Sequence, residues 1–281
     1  MSSAQHDQNY LVQLFSLNNQ VVVLTGGLGK LGTVYAHAMV KAGGRVAIFD
    51  RIDTPNDSLI ELSRHYPLMF LKVDITDESA VCEAVQKVAE AWDVPTVLIN
   101  NAGWRASPNE GVKGGVPFED YSMDLWDDIF KINAGGAAIC AKVIGGKMIA
   151  DKRTGVIINI ASHYALVAPD QRIYQYKEEK IGRKFIKDPP YGASKAALIA
   201  LTRDLATQWA PFGIRVVALA PGGVFNPASD PEFVAQYSAH VPLGRMAKID
   251  EYNGALIFLA SDASSYMTGN CLVVDGGWTS W

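Results

Sequence analysis

Three cysteines in 281 residues are too few, and too widely spread, to hold a chain together. Cys82, Cys140 and Cys271 are odd in number and none belongs to a CxxC pair, so neither a disulfide framework nor a zinc site is suggested and no metal is expected. Each is expected to fill core space. Positive charge is also scarce. Lys and Arg number 25 against 29 Asp and Glu, a formal net charge of −4, so no general electrostatic attraction draws the chain to nucleic acid or to an anionic membrane. Any anion site must be built locally. No apolar run reaches the length of a membrane span. Residues 1–10 lack the basic cluster and following apolar block of a secretory signal, so a cytoplasmic protein is expected. Internal repeats and low-complexity tracts are missing too. With 49% hydrophobic and 19% charged residues the composition is that of a packed chain and not a disordered one. The length suits one large core, so residues 1–281 are expected to form one domain.

What is present is an alternation of two kinds of segment. Short β-branched runs at 21–24, 45–49, 69–73, 96–99, 156–160, 215–219 and 271–274 predict seven buried strands. Between them, 30–42, 78–92, 124–150 and 195–210 repeat their apolar residues at helical spacing. This βα alternation predicts an α/β, doubly wound, Rossmann-type parallel sheet with helices on both faces, because parallel strands need crossovers and right-handed crossovers cover the sheet. Ligands of such sheets bind beyond the carboxyl ends of the strands. Two stretches interrupt the scheme: 104–121, rich in Gly and Pro, and 168–190, rich in charge. Long loops of this kind are usually functional or mobile.

The first strand runs into Thr25-Gly26-Gly27-Leu28-Gly29-Lys30-Leu31-Gly32, and a helix begins inside it. Glycines here let the backbone turn sharply, approach a pyrophosphate and pack the helix start against the strand, which makes Gly26, Gly29, Lys30, Leu31 and Gly32 candidate cofactor contacts. Asp50 closes the second strand about 20 residues further on, where an acid accepts from the ribose hydroxyls of a dinucleotide. A carboxylate there repels a 2′-phosphate and favours NAD over NADP. Arg51 and Lys30 act the other way if either faces a phosphate; alternatively both are solvated.

Four further motifs each fall at a strand end or a helix start: Asn100-Asn101-Ala102-Gly103, Asn159-Ile160-Ala161-Ser162, Tyr191-Gly192-Ala193-Ser194-Lys195 and Pro221-Gly222-Gly223. Removing hydride from a carbinol carbon requires its hydroxyl proton to leave at nearly the same time, so a base must sit on the oxygen. A lysine four residues after a tyrosine lies on the same helical face and favours the tyrosinate, and a serine can orient the oxygen. In this order the motifs resemble those of the short-chain dehydrogenase/reductase family, in its shorter single-domain branch, from about Leu17 to the end. The resemblance implies an NAD-dependent oxidoreductase with Tyr191 as acid/base, Lys195 lowering its pKa, Ser162 orienting the substrate and Asn133 ordering a water relay. For Asn133 the alternative is a backbone bond at a helix irregularity. The resemblance also implies Asp74 and Ile75 beside the adenine, Asn101, Ala102 and Gly103 behind the cofactor, and Pro221, Gly222 and Val224 at the nicotinamide amide. Asp74 has a second reading as a cap of the following helix.

The chain departs from that branch twice. Lys30 stands where the branch carries glycine, and the resulting TGxxGxxG spacing is similar to the longer branch of nucleotide-sugar epimerases and dehydratases; the absence of an extended substrate segment and the ending Val274-Asp275-Gly276-Gly277 favour the shorter one. Residues 168–190 also separate Ser162 from Tyr191 more widely than in most relatives. Arginine forks and tyrosines next to a catalytic site suit carboxylates, phosphates or sugar hydroxyls, so Arg172 and Tyr174 are expected substrate contacts, the alternative being a solvated flap. Trp104, Arg105, His163 and Asn226 are the other candidate wall residues, with packing as the alternative. The residues Leu14-Phe15-Ser16-Leu17 and the insertions are similar to relatives acting on sugar acids or sugars. The expected partner is thus a small polyhydroxylated, anionic substrate. Three activities compete: a dehydrogenase or ketoreductase, an NAD-retaining nucleotide-sugar epimerase or dehydratase, and a non-catalytic NAD-sensing protein. The resemblance further implies a homotetramer or homodimer, with 266–267 and 278–281 either in the interface or covering the protein's own core.

Overall fold

In the computed structural model, which describes residues 3–105 and 115–281, the strands are β1 (Val21–Thr25), β2 (Arg45–Asp50), β3 (Leu68–Lys72), β4 (Val97–Asn100), β5 (Gly155–Ile160), β6 (Ile214–Pro221) and β7 (Cys271–Val274). They form one parallel sheet in the order β3-β2-β1-β4-β5-β6-β7. The helices are α1 (Ser3–Phe15), α2 (Lys30–Lys41), α3 (Asp57–Ser63), α4 (Glu78–Ala91), α5 (Met123–Phe130), α6 (Ala137–Ala150), α7 (Tyr176–Ile181), α8 (Pro189–Trp209), α9 (Pro231–Ala239) and α10 (Asn253–Ala260).

Strand alternation sorts the core into two layers. Val22, Leu24, Val46, Ile48, Ile158 and Val217 meet Tyr35 and Met39 of α2 and Leu256 and Leu259 of α10. Their neighbours Val21, Val23, Ala47, Leu98, Ile157 and Val216 face Val81 and Val85 of α4 and Cys140, Ile144 and Met148 of α6. Burying both faces explains why these strands read as continuous apolar runs. The expectation of seven buried strands is corrected at the edges: β3 and β7 each have one neighbour and are only partly covered.

The helical pattern at 124–150 holds one irregularity. A π-helical turn, Lys131–Gly136, joins α5 to α6. The whole run Met123–Ala150 is long and apolar enough, by length and composition, to cross a membrane. Its apolar residues instead cover the sheet, with Cys140, Ile144 and Met148 fully buried. The cysteines divide: Cys140 fills core, Cys271 is half-buried, and Cys82 is exposed, contrary to the expectation that each packs inside. The C-terminal tail divides likewise. Trp278 stacks on Tyr237 at 4.4 Å and covers the protein's own core, while Tyr266 and Trp281 stand exposed.

Order reverses between β1 and β4: β1 is flanked by β2 on one side and β4 on the other. The crevice of a doubly wound sheet opens at such a point.

Candidate active site

At that crevice lies a cleft of about 760 Å³, lined from the ends of β1, β2, β4 and β5 and from α8. The glycine turn forms one wall and fits a pyrophosphate. Gly26 has φ +63°, and a Cβ on it would lie 2.7 Å from the Ala102 Cα. A Cβ on Gly32 would lie 2.2 Å from the Gly26 carbonyl oxygen. Gly29 precedes α2 and offers no side-chain cap, so the first N–H groups of the helix stay available to an anion. Thr25 fixes the turn to β4: its Oγ1 accepts from the Asn101 and Ala102 N–H groups at 3.1 and 3.0 Å, and the Asn101 amide donates to the Thr25 and Gly26 carbonyls at 3.0 Å each.

Asp50 ends β2 in the cleft wall. Its Oδ2 accepts from the Leu28 N–H at 3.0 Å and its Oδ1 from the Ile52 N–H at 3.2 Å, so the carboxylate is held in place while each oxygen keeps capacity for a further donor. Lys30 and Arg51 are exposed, and both line the cleft, as do Leu31, Asp74 and Ile75. Asp74 does not cap α4. Its Oδ1 accepts from the N–H and hydroxyl of Thr76, and Asp77 is the residue that accepts from Ser79 and Ala80 at the helix start.

Helix α8 carries Tyr191 and Lys195 to the cleft floor. Pro189 and Pro190 start it, where a missing N–H costs nothing. Tyr191 is half-buried, and its phenol meets the Ser162 hydroxyl. Burial raises the phenol pKa, against the lowering effects of the Ser162 hydrogen bond and of Arg105. Lys195 is 3% exposed and donates to the Ile160 carbonyl at 2.7 Å; burial lowers its ammonium to about 8. The resting pair therefore favours a neutral phenol beside a charged, easily deprotonated amine.

Asn133, 0% exposed, sits on the π-helical turn. Its Oδ1 accepts from the Trp104 N–H at 2.7 Å, and its Nδ2 donates to the Trp104 carbonyl and the Ser194 hydroxyl, each at 3.0 Å. The backbone bond at an irregularity is thus present, and it couples Trp104 in the cleft wall to α8. Below the site Asn100 Nδ2 donates to Asn159 Oδ1 at 2.9 Å, and Asn159 Nδ2 to Thr202 at 2.9 Å, which ties β4, β5 and α8 into one frame.

His163 turns away from the cleft, which corrects its assignment as a wall residue. Its Nδ1 is 3.1 Å from the Pro221 carbonyl, which only accepts, so Nδ1 holds the proton. Nε2 then accepts from the Tyr237 hydroxyl at 3.2 Å, and the Tyr237 oxygen accepts from the Gly223 N–H at 2.7 Å. The imidazole is 4% exposed, and burial lowers its pKa to about 4. This folded value lies below the ordinary 6.5, so between the two the unfolded chain binds more protons and stability falls as pH falls. The loss approaches about 3 kcal/mol by pH 4. Urea unfolding from pH 7 to 4 should show the gap between wild type and His163→Asn narrowing below pH 6.5; a constant gap would contradict a buried neutral imidazole.

The same chain of bonds places Pro221, Gly222 and Val224. Pro221 lines the cleft. Gly222 instead borders a smaller cavity of about 150 Å³ with Tyr237 and Tyr252, and Val224 bridges to Ala247. Asn226 is engaged in its own turn, Oδ1 accepting from the Ala228 N–H at 3.2 Å, outside the cleft lining.

The insertions change the substrate assignment most. Arg172 is 79% exposed and forks onto Asp170, with Nη2 2.6 Å from Oδ2, so it faces solvent and is not a wall residue. Tyr174 is buried between Phe185 and Phe233, and its hydroxyl meets that of Tyr164 at 3.1 Å. It packs in a core cluster beside the cleft and is not a lining residue, which corrects its assignment as a substrate contact. Residues 106–114 of the first insertion lie outside the described residues. Gly115 joins the first insertion to the second: its N–H donates to Asp188 at 2.6 Å, and its carbonyl accepts from Arg183 at 2.8 Å. Trp104 and Arg105 line the cleft, as expected of them, and so does Gly103 with Asn101 and Ala102.

Other wall residues, among them Val73, Ile132 and Ile160, carry no functional signal in the sequence. Their apolar chemistry is indistinguishable from core packing until the strands are aligned.

A Rossmann-type sheet with a glycine turn, an acid at the end of β2 and a Tyr–Lys pair on the cleft floor is the framework of a nicotinamide-dependent oxidoreductase. The profile of the family described as enoyl-(acyl carrier protein) reductase matches residues 29–279. Galactitol 2-dehydrogenase of Rhizobium johnstonii is 30% identical over 275 residues, covering 96% of this chain and 98% of that one. A solved gluconate 5-dehydrogenase from Burkholderia cenocepacia, in complex with NADP and tartrate, has a TM-score of 0.82 at 28% identity, covering 96% of this chain and 99% of its own. A short chain dehydrogenase from Leptospira borgpetersenii with bound NAD+ has a TM-score of 0.81 at 27% identity, covering 93% of each chain. The chain belongs to the short-chain dehydrogenase/reductase family and is an NAD(P)-dependent oxidoreductase.

Proposed function

We propose that the protein is an NAD-dependent dehydrogenase that interconverts a secondary alcohol and its ketone in a polyol, sugar or sugar acid. The observation that carries this reading is Tyr191 with buried Lys195 one helical turn away on the floor of the cleft, Ser162 lying near enough to act on the phenol. Similarity to a galactitol dehydrogenase and a gluconate dehydrogenase supports the substrate class, and an end-to-end match to the former favours it over the epimerase reading.

A bound nicotinamide ring supplies or accepts the hydride at the substrate carbon. The protein's part is to hold and move the proton. Ser162 donates to the substrate oxygen and fixes it beside the Tyr191 hydroxyl. In ketone reduction the phenol, kept protonated by burial, gives its proton to the developing alkoxide. In alcohol oxidation the phenol must first be ionised, and the ammonium of Lys195 with the guanidinium of Arg105 favours that anion. Lys195 uses one of its three donors on Ile160, leaving two for Tyr191 and a cofactor ribose. Asn133 keeps one lone pair on Oδ1 for a relay water, and its larger part is to position Trp104 and α8.

NAD is the assigned cofactor because Asp50 presents a fixed carboxylate where the ribose 2′-position belongs. Catalytic efficiency with NAD should exceed that with NADP. Asp50→Ala, which leaves Lys30 and Arg51 at the same wall, should narrow the ratio by on the order of 10- to 100-fold. Parallel initial rates with the two cofactors read this directly, and a wild-type preference for NADP would overturn the assignment. An absorbance screen over polyols, aldonates and nucleotide sugars tests the reaction itself: NAD retained without net turnover on nucleotide sugars would favour the epimerase, and binding without turnover the sensing protein.

A further inference from the structure

Three cations gather near Tyr191, and among the described residues none is within 4.0 Å of a carboxylate oxygen. Lys187 is half-buried, with Nζ 5.8 Å from the Tyr191 ring centroid. Lys177 places its Nζ over Phe185 at 4.4 Å and over Tyr174 at 5.6 Å. Arg105 lines the cleft and lies close enough to act electrostatically on Tyr191, Tyr174, Lys177 and Lys187 alike. Burial, with Arg105 and Lys177 adding repulsion and Asp188 offsetting part, lowers the Lys187 ammonium to about 8.

Covering a lysine without a partner is unfavourable, and gathering further cations beside it more so. The neighbouring acids are each directed at another donor. Asp188 accepts from the Gly115 N–H, Asp230 is paired with Lys180, and Glu178 accepts from the Phe185 N–H. A Tyr164–Tyr174 hydroxyl pair borders the same space and uses one of its two protons on the mutual bond, leaving the other without an acceptor among the described residues. Three ammonium or guanidinium groups and a phenolic donor converge, with Asp188 acting on the lysines only from beyond ion-pair distance.

We propose that Lys187, Lys177 and Arg105 form a subsite for an anionic group, a carboxylate or a phosphate, carried by the substrate a few bonds from the carbon that reacts at Tyr191. The inference rests on the catalytic reading above and narrows its substrate to polyol or sugar anions. Lys187 reaches the site because Pro189 and Pro190 fix the start of α8 and set the residues before them directly over the catalytic tyrosine. The anion role passes from exposed Arg172 to this cluster.

The test compares sorbitol, D-gluconate and sorbitol 6-phosphate in the NAD-linked assay for wild type, Lys187→Gln, Lys187→Arg and Arg105→Gln. In wild type kcat/KM should be higher for one of the two anions than for sorbitol, and which anion wins separates carboxylate from phosphate. The anion-to-neutral ratio should fall roughly tenfold or more in Lys187→Gln, fall also in Arg105→Gln, and be largely restored in Lys187→Arg. A ratio unchanged by both neutralising variants, or a wild-type preference for sorbitol, overturns the subsite. A second arm needs no turnover: the thermal midpoint of the NAD-saturated protein with L-tartrate against the same concentration of erythritol. Tartrate should raise the midpoint in wild type and not in Lys187→Gln. If no alcohol or ketone turns over while tartrate still protects through Lys187, the reaction assigned above fails and the subsite stands. Equal midpoints with tartrate and erythritol sink the subsite while leaving the reaction intact.

Discussion

Replacing Tyr191 by Phe is expected to lower kcat by about 10²- to 10⁴-fold, the usual contribution of a positioned proton donor, while NAD affinity is largely kept. The cofactor cradle is built elsewhere, from the glycine turn, Asp50 and the Thr25–Asn101 bonds. The fold should also survive. Removing the phenol oxygen leaves the Ser162 Oγ accepting from the Tyr164 N–H at 3.2 Å, so no buried hydroxyl is orphaned. Single-turnover rates alongside NAD titration by fluorescence would separate the two effects. Substantial turnover in the variant would remove Tyr191 from the chemistry. A parallel loss of NAD binding would mean the hydroxyl is chiefly a cofactor contact.

Gly32→Ala should be the most damaging single methyl in the nucleotide half. The added Cβ would stand 2.2 Å from the Gly26 oxygen, 2.6 Å from the Gly27 Cα and 2.8 Å from its carbonyl carbon. All three are backbone atoms of the turn itself, so no side chain can rotate out of the way. A shift of the turn moves the N–H groups that would face a pyrophosphate. The overpacking cost is roughly 3 kcal/mol, which lowers Tm by about 6–12 °C in a protein of this size. NAD should then give little of the thermal protection it gives the wild type. Gly29→Ala supplies the comparison, because its Cβ would meet only the Gly26 oxygen, at 3.3 Å, in an extended conformation open to alanine. Equal Tm values for the two variants would show that the turn yields easily and that helix packing does not require a glycine at position 32.

Sheet and motif order were legible because their physics is local or periodic. A strand buried on both faces must be apolar throughout, a βα crossover has a minimum length, and a pyrophosphate turn needs glycine where backbone meets backbone. Helices α1, α3, α9 and α10 did not stand out. α3 is short, and α10 is apolar all round, so neither displays a stripe. Asn133 was legible as a residue at a helix irregularity, but not as the clamp on Trp104, because its partners lie across a loop.

The misreadings concentrate where long-range contacts decide which way a side chain points. Arg172 and Lys187 are equally charged and flank the same insertion. One lies beside Asp170 and is drawn outward by it, while the other is held over Tyr191 by Pro189 and Pro190. His163 adjoins the catalytic serine in sequence, yet Pro221 and Tyr237 supply an acceptor and a donor on the opposite side and turn its ring away.

By itself, then, the sequence determined the doubly wound sheet, the glycine cradle, the acid that ends β2 and the Tyr191–Lys195 spacing, since each depends on neighbours within a turn or a strand. Tertiary structure alone decided that Ser162 meets Tyr191 across an insertion, and that Lys195 is buried against Ile160. It also decided which cations of 168–190 turn to solvent and which lie beside Tyr191. Those depend on segments far apart in the chain, whose charges are oriented by whatever carboxylate, ring or carbonyl the fold happens to bring beside them.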